Sequence, residues 1–600
     1  MTAAALSGGT TADRADRLIA DGNALEDRGL NEAARARYEE AVELAPDYPR
    51  AHMNLGNALR KLERPDEAAQ AFRRALAVAP EYVPARFNLG SLLTSRGDFD
   101  SAEVELREAL RRQPDLAEAM LVLADVLEAT GRVEEAEKQL VRALELRRDL
   151  GGAALNLGHL MARSNRFEEA EHWLLEARRL DPVAYRSALS DYCFLLLLRG
   201  DVDVATLFNA HRRIGAAIAA EAGPPFVSHP NPRDPRRRLR IGYVSGDFRQ
   251  HPMGLFMRPI LAAHDRSMFD VHCYSSVEKA DEATEVLRAA VPHWHEVGGL
   301  ADAEVAELIR SHGIDVLIDL AGHTDNPRLG TFARKPAPVQ VTWMGYLNTT
   351  GLAAMDYRIC DRHAERVGVA DALHTERLYR LPHSQWCYVP WYDVPVVAVP
   401  HADRPEALVL GSFNQSQKIG DATLDLWSRV LLALPDAEIH LFDFREERAR
   451  RSLRERLSRR GIADTRVTVR GREPIVDYLR AISNVDIALD PYPYNGATTT
   501  LDTLWMGTPL VALAGERGVS RGSYSILQTL QLPELIALTP EEYVRINADL
   551  ARNATWRRTL RSELRSRMKG SPLMDVPGFV ADLERAYRSM WLSWCTSTQS

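Results

Sequence analysis

A run of small hydroxylated residues near the carboxyl-terminal end has the composition of an anion-binding site. The stretch reads LDPYPYNGATTTLDTLW over residues 489–505. Prolines and Asn495–Gly496 interrupt the preceding hydrophobic run, because Asn-Gly tolerates positive φ and favours a turn. Thr498 and Thr499 then open a helical spacing, and the unpaired amides of a first helical turn attract a phosphate. Asp502 could accept hydrogen bonds from ribose hydroxyls; an ordinary capped helix is the alternative interpretation.

Residues in four further loops could do chemistry. Lys418 lies in the loop NQSQKIG and could clamp a phosphate, although a lone lysine is more often a solvated surface residue. His251 and the pair Gly322–His323 follow apolar runs, where a histidine could act as a base or bind a sugar, or could simply cap or pack. Arg521 could reach a nucleotide or contact only its own helix.

The sequence predicts alternating strands and helices on either side of these loops. In residues 239–395 the predicted strands run from Leu239 to Val244, to about Ser275, and from Ile314 to Thr324. Residues 396–600 repeat the pattern, with strands 407–413 and 437–444, helices at 423–434 and around 478–482, and a last helix at 577–594. Strands that alternate with helices indicate parallel sheets, so two Rossmann-like halves with a cleft between them are expected. No GxGxxG, Walker or HExxH motif is present.

The first third of the sequence repeats with a period of 34 residues. Gly22, Gly56, Gly90 and Gly158 are in phase, and alanines recur at two further positions of each unit. This pattern resembles the tetratricopeptide repeat, with five units and a degenerate sixth, and predicts an α-helical solenoid over residues 15–222. A turn-rich linker follows at 223–238. Asn54, Asn88 and Asn156 share one slot on the predicted concave face, where they could bind the backbone of an extended peptide or only stabilise the superhelix.

The composition excludes several classes of function. A net charge of −8 argues against a general binder of nucleic acid or membrane surfaces. Five scattered cysteines without a CxxC pair suit a reducing compartment, and no segment resembles a signal peptide or a membrane span. A cytoplasmic location is expected.

Longer motifs resemble one known family. GYVSGDFRQHP, LIDLAGHTDNPRLGTFARKPAPVQVTWMGYLNTTG, GSFNQSQKI and LDPYPYNGATTTLDTLWMGTPLVALAGE, after the repeats, are similar to the O-GlcNAc transferase and SPINDLY group of protein glycosyltransferases. The resemblance implies a GT-B module of two Rossmann-like domains, a nucleotide-sugar donor, no metal, and inversion at the sugar carbon. It places donor binding on Gln415, Lys418, Tyr478, Thr498, Thr499 and Asp502, and the histidine near the acceptor on His251.

Departures from the family leave the donor sugar open. Ala497 stands where the O-GlcNAc enzymes carry a histidine, Tyr478 replaces their uracil-side histidine, and Ile475 replaces a lysine. The segments GHTDN, PAPVQVTW and NTTG are closer to the SPINDLY type, which uses GDP-fucose. The sequence therefore predicts a bacterial-type protein O-glycosyltransferase with UDP-GlcNAc as donor and a protein acceptor on the repeats. The alternatives are GDP-fucose or another activated sugar, for example for flagellin, and a non-catalytic scaffold that binds nucleotide.

Overall fold

The computed structural model describes residues 10–181, 187–324, 326–390, 408–444 and 447–597. They divide into two compact units, one running to Leu160 and one beginning at Met161, except that residues 179–181 group with the first. Within these described ranges, no helix is both long and apolar enough to cross a membrane.

The first unit consists of helices arranged in consecutive pairs. The helices are α1 Thr11–Glu26, α2 Asn31–Leu44, α3 Pro49–Lys61, α4 Pro65–Val78, α5 Val83–Ser95, α6 Phe99–Arg112, α7 Ala117–Ala129, α8 Val133–Leu146 and the start of α9 Gly151–Arg163. Prolines occupy the first position of α3 and α4 and the second position of α5, where the missing N–H costs no intrahelical bond. The pairing confirms the predicted helical repeat array.

Close packing inside each pair explains the in-phase glycines. A Cβ atom on Gly22 would lie 2.4 Å from the ring of Tyr38, and one on Gly56 would lie 2.5 Å from the ring of Phe72. At Gly90 the same atom would meet Leu106 at 2.7 Å. The glycine of the first helix therefore makes room for the bulky residue of the second, and a larger residue would force the two helices apart.

The second unit contains a seven-stranded and a six-stranded parallel sheet. The first sheet has the order β3-β2-β1-β4-β5-β6-β7 and the second has the order β10-β9-β8-β11-β12-β13. The strands are β1 Leu239–Ser245, β2 Phe269–Ser275, β3 His293–Glu296, β4 Val316–Asp319, β5 Val339–Trp343, β6 Tyr357–Asp361, β7 Arg377–Leu381, β8 Val409–Ser412, β9 Glu438–Leu441, β10 Val467–Val469, β11 Ile487–Leu489, β12 Leu510–Leu513 and β13 Ile536–Ala537. Two doubly wound sheets confirm the predicted α/β module with two Rossmann-like halves.

The second unit also contains the following helices, the first of which belongs to it except for its last two residues. They are α10 Phe167–Leu180, α11 Ser187–Leu198, α12 Val204–Ala222, α13 Pro252–Ala263, α14 Glu282–Ala289, α15 Asp302–Ser311, α16 Leu329–Ala333, α17 Asp421–Ala433, α18 Glu447–Ser458, α19 Ile475–Ser483, α20 Thr498–Trp505, α21 Gly522–Thr529, α22 Pro540–Arg552, α23 Ala554–Lys569 and α24 Val576–Thr596. Most strand residues between these layers are buried, so the core lies on both faces of each sheet.

The strand order places the candidate loops at two switch points. In the first sheet the order reverses between β1 and β4, and in the second between β8 and β11. Ligands of open parallel sheets bind beyond the carboxyl ends of strands at such points. His251 follows β1, Gly322 follows β4, Lys418 follows β8, and Thr498 follows β11. The loops at the switch points are therefore the same loops that the residue types indicated as candidate sites.

The predicted strands 437–444 and 314–324 are both shorter in the structure, and the first of them is regular only over Glu438–Leu441. The expected strand from Ile314 to Thr324 is regular only over Val316–Asp319. The buried Asp319 carboxylate accepts hydrogen bonds from the N–H groups of Ala321 and Gly322, which turns the chain out of the sheet. The strand over 314–324 was predicted too long because Leu320 and Ala321 are apolar, and the composition of a buried loop does not differ from that of a buried strand.

Two helices outside the sheets pack on the first Rossmann-like half. Tyr587 of α24 places its hydroxyl 3.0 Å from the hydroxyl of Tyr243, and Glu584 accepts a hydrogen bond from His264 at 2.9 Å. A Cβ atom on Gly215 of α12 would lie 2.2 Å from the carbonyl oxygen of Gly351. The last helix therefore returns to the first sheet, and α12, which the repeat pattern assigned to a degenerate sixth unit, is part of the core around this sheet.

Candidate active site at the start of α20

Lys418 lies against the turn that precedes α20. The short helical turn Ser416–Lys418 after β8 directs its ammonium group to the carbonyl oxygen of Asn495, 3.2 Å away. The same nitrogen lies 4.1 Å from the ring centre of Tyr494. Thr423 holds the two loops together, since its hydroxyl donates to the carbonyl of Tyr492 at 2.7 Å. The structure thus brings the predicted phosphate clamp to the predicted anion-binding helix.

The charge of this lysine is set by a low-dielectric surrounding. Burial lowers the pKa of Lys418 to about 8, against the opposing effect of the Asp490 carboxylate. Burial also raises the pKa of Asp490 to about 7, although the N–H of Gly496, the Ser523 hydroxyl and Lys418 act in the other direction. At pH 7 the lysine is mainly charged and incompletely neutralised, so an anion would be a favourable further partner.

The first backbone N–H groups of α20 have no side-chain cap. The residue before it, Ala497, provides no side-chain cap, whereas Asp, Ser or Thr at this position would occupy the first amides. Thr498 and Thr499 are half-buried, and Thr500 is buried and hydrogen-bonded to Ser523 at 2.8 Å. The amides and hydroxyls of the first two threonines therefore suit a phosphate, whereas Thr500 anchors the helix.

Gly496 is required by close approach and not by a left-handed conformation. Neither Asn495 nor Gly496 has a positive φ, so the conformational reason for the Asn-Gly pair was wrong. A Cβ atom on Gly496 would lie 2.5 Å from the Thr500 hydroxyl oxygen and 3.2 Å from the Asp490 carboxylate. Its N–H donates to that carboxylate at 2.8 Å. A side chain here would push the turn away from α20.

Asp502 is held by two tyrosines. Its two carboxylate oxygens accept hydrogen bonds from Tyr388 at 2.7 Å and from Tyr478 at 3.3 Å. Burial raises the pKa of Asp502 to about 6, and both hydroxyls counteract this shift. A carboxylate oxygen accepts more than one hydrogen bond, so ribose binding at Asp502 stays a prediction that these bonds permit. Tyr478 also packs edge-on against Phe413, at 5.9 Å between ring centres.

His251 begins α13 at the carboxyl end of β1. Its Nδ1 atom accepts a hydrogen bond from the N–H of Met253 at 3.3 Å, which makes it the helix cap. The same atom lies 3.6 Å from a carboxylate oxygen of the buried Asp247, and the side chain is 40% exposed. His251 therefore caps its helix and also faces solvent. A capping role and a role in binding or catalysis do not exclude each other here.

The Gly322–His323 pair occupies a different environment. Gly322 has a φ of +58°, and a Cβ atom there would lie 2.3 Å from Cβ of Tyr346. His323 is 1% exposed, with Nδ1 bonded to the Ser190 hydroxyl and Nε2 to the carbonyl of Thr350. Burial lowers the pKa of His323 to about 3. A direct sugar contact by this ring stays a prediction, which its buried hydrogen bonds disfavour.

Two other predicted donor residues have protein contacts of their own. Arg521 is 8% exposed and donates to the carbonyl oxygens of His363 and Gly515, at 2.8 and 3.1 Å. The bond to His363 joins the second Rossmann-like half to the first, and the bond to Gly515 stays within the second half. Gln415 is exposed and accepts a hydrogen bond from Gln417. Donor contact by Arg521 and by Gln415 stays a prediction.

The predicted asparagine ladder lies on α3, α5 and α9, each the first helix of its pair, and Val122 interrupts the series on α7. Asn88 donates to the side chain of Asn57 at 3.0 Å, and Asn156 donates to Asp125 at 2.7 Å. Asn54 donates to a carbonyl of its own helix, that of Arg50. Two of the three therefore tie neighbouring repeats together, and each of these bonds uses one of the two hydrogens on the amide nitrogen.

Sequence reasoning missed three members of the site. Tyr388 comes from the end of the first half and reaches Asp502 of the second, a sequence separation of 114 residues. Asp490 and Tyr494 lie inside the quoted motif, yet nothing in their spacing indicated that they would flank Lys418. The strand end at Asp490 was the one usable signal, because polar residues at the carboxyl ends of parallel strands face the site.

The chain matches known families and relatives in both its repeats and its two Rossmann-like halves. Glycosyl transferase family 41 matches residues 217–388 and 395–583, and tetratricopeptide repeats match residues 19–84, 59–115 and 93–150. The probable UDP-N-acetylglucosamine–peptide N-acetylglucosaminyltransferase SPINDLY of Arabidopsis thaliana is 37% identical over 399 residues, 65% of this chain and 43% of that protein. The corresponding transferase of Caenorhabditis elegans is 26% identical over 471 residues, 59% of this chain and 41% of its own length. The chain thus spans less than half the length of these relatives.

A solved structure resembles the chain over most of its length. A mutant of the O-GlcNAc transferase of Thermobaculum terrenum is 36% identical, with a TM-score of 0.70, covering 91% of this chain and 98% of that one. The match of the family model extends over both Rossmann-like halves and includes the loops that hold Lys418 and Thr498. On this evidence the chain belongs to glycosyl transferase family 41.

Proposed function

We propose that the chain is an inverting, metal-independent protein O-glycosyltransferase that moves N-acetylglucosamine from UDP-GlcNAc to serine or threonine hydroxyls. The observation that carries the proposal is the convergence of the Lys418 ammonium and the uncapped start of α20 on one turn. The names of the plant, nematode and bacterial relatives support the sugar and the peptide acceptor.

Charge stabilisation of the leaving group is the main task of this site. When the bond between the sugar and the diphosphate breaks, negative charge grows on the diphosphate. Lys418 and the amides of Thr498 and Thr499 are fixed before the reaction, so they stabilise that charge without reorganising. This arrangement supplies the positive charge that a divalent cation provides in metal-dependent transferases.

The acceptor hydroxyl would approach from the first half. His251 is half-exposed at the carboxyl end of β1, and Asp247 beside it would stabilise a protonated ring. We propose that His251 orients the hydroxyl or takes its proton as the hydroxyl attacks the sugar carbon from the face opposite the diphosphate. Taking the proton requires the tautomer with N–H at Nδ1, toward Asp247, and an unprotonated Nε2, so the ring would then give up the cap bond from Met253. The reaction then inverts that carbon and releases UDP.

The repeats would hold the protein acceptor along their first helices. The half-buried side chains of Asn54, Asn88 and Asn156 recur there, and carboxamides bind a peptide backbone without reading its sequence. Binding at the repeats would raise the concentration of acceptor at the transfer site.

A thermal-shift panel tests the donor. UDP is expected to raise the melting temperature of the full chain, because a ligand that binds only the folded state adds about 2.7 kcal/mol at a hundred times its Kd. GDP and CMP serve as controls, each with and without EDTA. A shift with GDP alone would favour a GDP-fucose donor, in keeping with Ala497 and Tyr478 at the divergent positions. The absence of any shift would contradict the enzyme proposal, and it would equally contradict a scaffold that binds one of these nucleotides.

A triple replacement tests the asparagine ladder. Asn54→Ala, Asn88→Ala and Asn156→Ala together are expected to raise the KM for a protein acceptor about tenfold or more, since each lost hydrogen bond costs on the order of 1 kcal/mol. The KM for UDP-GlcNAc should stay unchanged. Asn57→Ala is the matched control, because it removes the bond to Asn88 but no proposed peptide contact. An equal loss in Asn57→Ala and Asn88→Ala would mean that the ladder only supports the superhelix.

A further inference from the structure

Four histidines meet at the β3 edge of the first sheet. His272 lies on β2, His293 and His295 lie on β3, and His312 directly follows α15. The parallel register pairs His272 with His293 and Tyr274 with His295, so alternate residues of both strands share one face. The donor site lies on the other sheet, and the function proposed above uses none of these four rings.

Three of the rings present nitrogen atoms to one another. Nδ1 of His272 lies 3.2 Å from Nε2 of His295. Two imidazole nitrogens bound to one tetrahedral Zn²⁺ at about 2.0–2.1 Å are separated by roughly 3.3 Å, so this pair is already at a metal-binding spacing. His272, His295 and His312 each offer an atom within 4.8 Å of the other two. Small side-chain rotations would bring the third nitrogen to the same distance.

We propose that His272, His295 and His312 form a binding site for one divalent late first-row ion, with Zn²⁺ as the best fit. Imidazole nitrogen suits Zn²⁺, Cu²⁺ and Ni²⁺, and three protein ligands leave one tetrahedral position for water. The site is distinct from the donor site, where the proposed transfer needs no metal.

The surrounding groups hold the rings as partners of metal ligands usually do. The Tyr274 hydroxyl lies 2.8 Å from Nδ1 of His312, which leaves Nε2 of that ring as the ligand. On the far side of His272, a carboxylate oxygen of Asp270 lies 3.7 Å from Nε2. This Nε2 is buried and has no hydrogen-bond partner. A small movement toward Asp270 would give the carboxylate–histidine–metal arrangement that fixes the tautomer and strengthens the ligand.

The rings are held in the form that binds metals. Burial lowers the pKa of His272 to about 4 and that of His295 to about 4, and burial also lowers the pKa of His312. These shifts favour the neutral rings, which is the form in which an imidazole nitrogen binds a metal ion. His293 also lowers the pKa of all three rings and Arg240 that of His312, whereas the Asp270 carboxylate raises the pKa of His272.

A bound ion would fasten the outer strand of the sheet. Among the strands that the structure describes, β3 is a four-residue edge strand paired with β2, and His295 is its ligand. Through His272 the ion would also be bound to β2, and through His312 to the segment between α15 and β4. The ion would thus join three consecutive segments and stabilise the fold by mass action, independently of transfer.

Metal titration of the full chain tests this site. After dialysis against EDTA, Zn²⁺ should bind with one high-affinity equivalent per chain in competition with a chromophoric chelator, and Co²⁺ should give the visible absorption of a tetrahedral complex. His312→Gln and His295→Gln should each weaken binding by about 100-fold or more, because a tridentate site loses one ligand. Far-UV circular dichroism of the apo variants checks that they fold.

His293→Gln is the matched control. His293 stacks on His272 with 4.2 Å between ring centres but belongs to a second group, with Asp270 and His272. The proposal expects this variant to keep its affinity for Zn²⁺. It is overturned if His293→Gln abolishes binding while His312→Gln does not, if neither variant changes the affinity, or if wild-type chain binds no equivalent of Zn²⁺ and shows no metal-dependent rise in melting temperature.

Discussion

Replacement of Lys418 by alanine is expected to lower kcat/KM for sugar transfer on the order of 1000-fold. Its ammonium contacts the turn at Asn495 that leads into α20, where the charge of the leaving diphosphate would develop. Removing one preorganised donor from such a site typically costs 10²- to 10³-fold, about 3–4 kcal/mol, and a lysine also removes a full positive charge. Transfer of radiolabelled GlcNAc to a protein acceptor measures the loss.

Lys279→Ala is the control for this replacement, because Lys279 is an exposed lysine after the second strand of the first half. Its transfer rate should equal that of the wild type. If Lys418→Ala also retains full activity, the site is not the place where the diphosphate leaves. If Lys418→Ala loses all transfer but a cellular role of the protein survives, catalysis is not what the cell requires from it.

Replacement of His251 by asparagine is expected to lower kcat on the order of 100-fold, with little change in the KM for the donor. The imidazole caps α13 through Nδ1 and faces Asp247, so an alanine would remove both a helix cap and a possible base. Asparagine caps helices well but cannot take a proton near neutral pH. The His251→Asn variant therefore separates the chemical role from the structural one, and single-turnover transfer rates measure it.

One combination of results from His251→Asn and His251→Ala would contradict a chemical role for His251. Full activity in His251→Asn together with a lower melting temperature in His251→Ala would make His251 a helix cap only. The proton would then leave by another route, such as an oxygen atom of the donor phosphate. Equal losses of activity in both variants, with unchanged melting of His251→Asn, support the proposed role.

Local sequence patterns determined a large part of this structure. The period of the repeats required one small residue opposite one bulky residue, and Gly22 packs on Tyr38 as that pattern demands. Alternating strand and helix segments required parallel sheets, and parallel sheets place the loops after their strands at one edge. Lys418 and Thr498 were singled out because each lies in or just after a loop that follows a predicted strand, whereas the switch points themselves came from the strand order of the structure.

The tertiary structure decided which of these residues have partners and what those partners are. Sequence order does not indicate that Tyr388 donates to Asp502, or that both ring nitrogens of His323 are bonded inside the core. Nor does it bring His312 to His295 and His272. Motifs and periodicity depend on neighbours along the chain, whereas burial, pKa values and convergent side chains depend on contacts between distant segments. Packing fixes those contacts, so the structure alone could reveal them.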